Sequence, residues 1–182
     1  MRVALNIFAL ALCACGSAGE LEGTVAGEKL SVSSGLFVVL RDASQNPVDT
    51  LAVLSSRSDV CADVKANRAL PGTTQVVFTL DHRDPTTGVP VGLDLGDYTA
   101  GPASDRELSA QFEKLDSSCA NALDASATAV TQGTFTVRSV FADPGGSLSA
   151  SFDLTFGGQD HVTGNLDVSY CDATYSIDPS CG

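Results

Sequence analysis

A chain of 182 residues is of single-domain length and long enough to bury a sizeable core. It carries 10 Lys+Arg against 22 Asp+Glu, a formal net charge of −12. Its few basic residues are scattered, which excludes the phosphate-neutralising patch that a nucleic-acid binder needs. The same acidity repels anionic lipid headgroups, so attachment to a membrane has to come from something other than surface charge.

The first residues supply a candidate. Met1-Arg2 is a short basic start, and Val3 to Leu12 is an apolar run broken only by Asn6. The run is too short for a spanning helix of about 20 residues, and the pattern is that of a secretory signal. At its end, Leu12-Cys13-Ala14-Cys15-Gly16 resembles the bacterial lipobox, with Cys13 where Ser or Ala is usual. The resemblance implies a lipoprotein signal peptide over residues 1–14 and acylation of Cys15 as the first residue of the mature chain. A short tether over 15–20 then leads into a single domain over 21–182. Several acyl chains on one residue meet the physical need for more than one chain in a stable anchor. Ordinary signal cleavage, after Ala18, is the competing reading.

Setting Cys13 and Cys15 aside leaves Cys61, Cys119, Cys171 and Cys181. An even number in an exported chain predicts disulfides, with every pairing open. Metal ligation is the weaker alternative, because no pair is spaced C-x-x-C and neither histidine is near a cysteine in sequence.

Along the mature chain, Leu21 to Ala26 and Lys29 to Ser34 read as weak strands. Leu36 to Leu40 is a continuous apolar run, the mark of a strand covered on both faces. Asn46-Pro47 signals a loop, and Thr50 to Ser56 is a further strand. Ser58 to Asn67 reads as a short helical turn, with Ser58 as cap and Cys61 placed to staple the excursion to the sheet. Val76 to Leu80 is a clear strand. Leu93-x-x-Gly96-x-Tyr98 resembles the tyrosine corner of Greek-key sandwiches, in which the hydroxyl bonds back to nearby backbone.

Residues 107–115 fit two patterns. Leu108, Phe112 and Leu115 share a helical face, while Leu108, Ala110 and Phe112 alternate; the surrounding β sequence favours a strand. Cys119 to Thr131 is a loop of small residues. The clearest stretch is Gly133 to Cys171, three alternating runs separated by Asp143-Pro144-Gly145-Gly146 and Gly157-Gly158-Gln159-Asp160. It reads as an antiparallel meander with one buried and one wet face.

Catalytic material is sparse. His82 and His161 both fall in turn regions, and neither a G-x-S-x-G elbow nor an H-E-x-x-H helix is present. Asp81, Asp84, Asp94 and Asp97 are weak calcium candidates, since that ion takes several oxygens from loops. Asp in turns more commonly bonds its own backbone. Seven phenylalanines, Phe37, Phe78, Phe112, Phe135, Phe141, Phe152 and Phe156, sit in apolar strands and read as core. Tyr170 and Tyr175 are weak candidates for a carbohydrate surface.

Several of these features together carry a resemblance. They are the lipobox, the Cys61 turn, Gly96-x-Tyr98, Gly133-Thr-Phe-Thr-Val, Gly146-Ser-Leu-x-x-x-Phe-Asp-Leu-Thr-Phe and Gly164-x-Leu-x-x-x-Tyr-Cys171. The chain resembles a group of uncharacterised lipoproteins common in myxobacteria, which implies an extracytoplasmic β-sandwich and brings no activity or site residue with it. The expected fold is all-β, an antiparallel Greek-key β-sandwich of immunoglobulin-like or jelly-roll-like form, with one helical turn near residues 58–67. The expected role is a non-enzymatic binding, adhesive or envelope-structural one, with a calcium-dependent binding module or a hydrolase as alternatives. The expected place is the cell envelope, at the outer membrane or cell surface. The partners there are the membrane, through a lipid anchor, and an envelope protein or polysaccharide, with no nucleic acid.

Overall fold

The computed structural model describes residues 18–101 and 105–173. Cys15, Tyr175 and Cys181 lie outside the described residues. The elements in chain order are β1 (Gly19–Glu22), β2 (Ser34–Arg41), β3 (Pro47–Ser55), α1 (Val60–Lys65), β4 (Thr74–His82), β5 (Gly96–Ala100), β6 (Arg106–Lys114), α2 (Ala125–Thr128), β7 (Val130–Val140), β8 (Ser147–Phe156) and β9 (His161–Tyr170). Gly19 and Glu20, expected in the tether, are already strand, and residues 107–114 are strand rather than helix. Residues 29–33 form no strand, and α2 lies in the stretch expected to be only loop.

The strands close on themselves. Around the ring the order is β2-β3-β4-β6-β5-β7-β8-β9, and β9 returns to β2 through Leu36 opposite Ser169 and Phe37 opposite Tyr170. β1 occupies the same edge of β9 over Thr163 to Leu166. Two neighbouring pairs, β2–β9 and β5–β6, are parallel and the rest antiparallel. The all-β expectation holds, but the two-sheet Greek-key sandwich is overturned by a closed eight-stranded barrel with a mixed sheet. Inward apolar and outward polar alternation is the same in both architectures. What separates them is whether the last strand finds the first, and closure removes the free edges that a sandwich must protect.

The interior is a packed core. Val76, Phe78 and Leu80 point in from β4, Leu148, Ala150, Phe152, Leu154 and Phe156 from β8, and Val162, Leu166 and Val168 from β9. Phe78 meets Phe135 of β7 and Phe152 of β8 with ring centroids 5.1 Å apart in each case. An eight-stranded barrel is just wide enough for side chains to fill it in this way. The outer faces are wet: Asp153, Asn165 and Asp167 are exposed, with Ser149, Ser151 and Thr163 half-buried. That is the reverse of a barrel whose outside faces lipid.

One part of the outside is covered. Leu36 and Val38 of β2 and Leu51 and Val53 of β3 face outward and pack beneath Val60 of α1 and Cys171. This is the second covered face that the unbroken apolar run predicted. Asp59, not Ser58, precedes the helix, in a left-handed conformation (φ 62°) without a side-chain cap. The excursion is secured instead by Asp63, which pairs with both Arg57 and Arg68, and by a Cys61–Cys171 disulfide with Cα atoms 5.8 Å apart.

Two rims follow from the registers. The upper rim carries the β2–β3, β4–β5 and β7–β8 connections, and the lower rim carries α2 and the β8–β9 turn, while α1 lies against the outer wall of β2 and β3 beside Cys171. At the upper rim, Gly146 N–H donates to Asp143 O at 2.8 Å, and Gly145 has φ 85°. That is the tight turn foreseen from Pro144 and Gly145.

Candidate functional site

The densest polar arrangement stands at the upper rim, where residues 83–95 run from β4 to β5. Arg83 and Pro90 bridge, and Val91 N–H donates to His82 O at 2.8 Å. Three side chains hold the segment that follows. His82 Nδ1 lies 3.2 Å from Gly92 O. Tyr98, fully buried, accepts Asp94 N–H at its hydroxyl and donates to Asp94 Oδ1, both at 3.2 Å. Arg106 donates Nη2 to Asp94 Oδ2 at 2.8 Å and Nη1 to Leu95 O at 3.0 Å. The tyrosine-corner contact is therefore present, but it closes a barrel mouth rather than a sandwich arch. Burial of the Tyr98 hydroxyl pushes its pKa up to about 12. Gly96 belongs to the same arrangement: its φ is 123°, and a Cβ there would stand 2.3 Å from Arg106 Nη1.

The four weak calcium candidates each have local partners. Asp81 pairs with Arg83 at 2.7 Å. Asp84 accepts the N–H groups of Thr86 and Thr87 at 2.9 and 2.8 Å, bonds to Thr87 first among them holding its carboxyl below the ordinary value. Asp94 is held by Tyr98 and Arg106, and Asp97 accepts the Thr136 hydroxyl at 2.7 Å. Among the described residues, no group of three or more His, Cys, Asp or Glu side chains could hold a metal ion.

His161 does find a carboxylate, Asp153 Oδ1 at 2.7 Å, but both side chains are mostly exposed on the outer face of β8 and β9. The pair stands on a convex wall, and no serine hydroxyl is hydrogen-bonded to either member among the described residues. His82 sits beside Asp94 at 3.5 Å and edge-on to Tyr98. Of the four cysteines expected to form disulfides, Cys61 and Cys171 are joined to each other. Cys119 is also disulfide-bonded.

Two surface features were not apparent in the sequence. A shallow concavity of about 220 Å³ lies outside the β4–β6 wall, lined by Val77, Thr79, Ser109, Gln111, Glu113 and the start of β7. The second is Phe141. Expected in the core, it stands 61% exposed just past the end of β7, on the same rim as exposed Val89 and Leu95.

No protein family, no curated protein and no solved structure matches the chain.

Proposed function

We propose that this protein is a lipid-anchored, extracytoplasmic lipoprotein of the cell envelope that works by surface contact rather than by catalysis. The observation that carries the contact reading is the filled barrel. Phe78, Phe135 and Phe152 meet from opposite walls at its centre, so an envelope protein or polysaccharide has only the outer surface to engage. The disulfides support an oxidising compartment, where such bonds persist. The polar outer wall supports a domain that stands in water beside a membrane rather than crossing it with its strands. The Leu12 to Gly16 segment supports Cys15 as the point of attachment.

Two measurements test this. Wild-type chain should fractionate with membranes and move to the soluble fraction when Cys15→Ala is introduced; a membrane-bound Cys15→Ala variant would overturn the anchor. The purified chain should show no turnover against a panel of esters, peptides and glycosides. Turnover that disappears in His161→Ala or His82→Ala would overturn the non-catalytic reading.

A further inference from the structure

The chain leaves the barrel close to the rim that carries the exposed large apolar side chains of the described residues. Asp167 N–H donates to Ala18 O at 2.9 Å, so Ala18 sits beside β9 three residues before its end. That end, Tyr170, donates to Gly146 O at 2.9 Å in the β7–β8 turn, and Phe141 N–H donates to Ser147 O across the same turn. Three residues of strand are about 10 Å. Cys15 is three Cα steps before Ala18, so its Cα stays within about 11 Å of it whatever path the chain takes. An acylated Cys15 can reach the level of the upper rim. The lower rim begins at His161, six residues from Asp167 along β9, a distance of about 20 Å and beyond that reach.

The upper rim is also where exposed apolar side chains gather. Val89 is 57%, Leu95 56% and Phe141 61% exposed, and these are the large exposed hydrophobics of the described residues. Leu95 precedes Gly96, which pairs with Val137, and Phe141 follows four residues later on that strand's path. The flank nearest Ala18 is unsuited to lipid, since Glu20, Glu22, Asn165 and Asp167 are exposed there.

We propose that the upper rim docks on the lipid bilayer, with Phe141, Leu95 and Val89 set into its headgroup–acyl boundary and the barrel standing upright on it. This rests on the reading of Cys15 as a lipid anchor. Three partly exposed residues on an acidic protein give weak affinity alone, but a tether of a few residues makes the second contact intramolecular and raises its effective concentration. The geometry then leaves α2 and the β8–β9 turn facing away from the membrane, as the surface open to partners.

The chain contains no tryptophan, so one introduced residue reports cleanly. Full-length lipidated chain carrying Phe141→Trp, or Ala125→Trp on exposed α2 at the lower rim, is reconstituted into phosphatidylethanolamine–phosphatidylglycerol vesicles with brominated acyl chains. The vesicles are then floated. The proposal expects both variants to float, with position 141 losing about half its emission, as for a ring buried about 5–10 Å into the boundary, and position 125 unquenched. Flotation with equal quenching at the two positions overturns the docking orientation and leaves the anchor standing. A chain that does not float overturns the anchor and the docking with it.

Discussion

Tyr98 holds Asp94 from inside the barrel. Its hydroxyl takes the Asp94 N–H and donates to the Asp94 carboxylate, both at 3.2 Å, so the segment that closes the upper mouth is tied to a ring in the core. Tyr98→Phe should cost about 1–2 kcal/mol, read as a lower urea midpoint, because a part-buried N–H loses its acceptor. The pH dependence is equally specific. The folded pKa, raised to about 12 chiefly by burial, lies above the unfolded value near 10. The contribution is thus fully present below the unfolded pKa and lost as pH rises through the folded one. Between about pH 10 and 12 the wild type should lose about 2–3 kcal/mol more than Tyr98→Phe. Parallel stability curves for the two proteins would contradict this.

Asp49 and Asp81 face each other. Thr50 pairs with Leu80, so the next step of the register sets these carboxylates opposite on the outer face. Burial, and then the charge of Asp81, raise the Asp49 pKa, with Arg83 opposing. A carboxyl with a raised folded pKa contributes most below its unfolded value and loses that contribution as pH rises. Asp49→Asn should therefore stabilise the protein at pH 7 by about 0.2–1 kcal/mol, the scale of a like-charge cross-strand pair. The gain should shrink as pH falls through the carboxylate range. A destabilised Asn variant at pH 7 would refute the pairing.

Gly164 is where β1 and Phe152 both press on β9. A Cβ there would lie 2.2 Å from Glu20 O and 2.4 Å from Phe152 Cζ. Gly164→Ala should cost about 1–3 kcal/mol through overpacking. A chemical denaturation midpoint equal to wild type would show that β1 can lift away freely.

Cys61–Cys171 spans 110 residues of chain and fastens α1 to the end of β9. The double variant Cys61→Ala, Cys171→Ala should lose about 2–4 kcal/mol, mostly through a freer unfolded chain. Non-reducing peptide mapping should recover the two cysteines in one linked peptide, and a different pairing would contradict the fold around α1.

The meander from Gly133 to Cys171 was legible because its alternation is unbroken and its turns carry Pro144, Gly145 and Gly157. Leu36 to Leu40 was legible because an unbroken apolar run needs cover on both faces, and the barrel interior and α1 provide it. Closure was not legible: the β9–β2 register leaves no mark on alternation that a sandwich would not also leave. Phe141 misled because Arg138-Ser139-Val140-Phe141 continues the strand pattern, whereas pairing with β8 shifts register between Val137 and Ser139 and ends at Val140. Asp94 suggested a cation because carboxylates in loops read alike. Its partners, Tyr98 and Arg106, are four and twelve residues away, and a lone arginine carries no motif.

The intact mass and N-terminal peptide of the mature protein, purified from membranes, test the account most directly. The prediction is a chain beginning at Cys15 and carrying acyl modification on that residue. An unmodified chain beginning after Ala18, or one retaining Met1, would contradict the anchor on which the envelope role and the docked rim both depend.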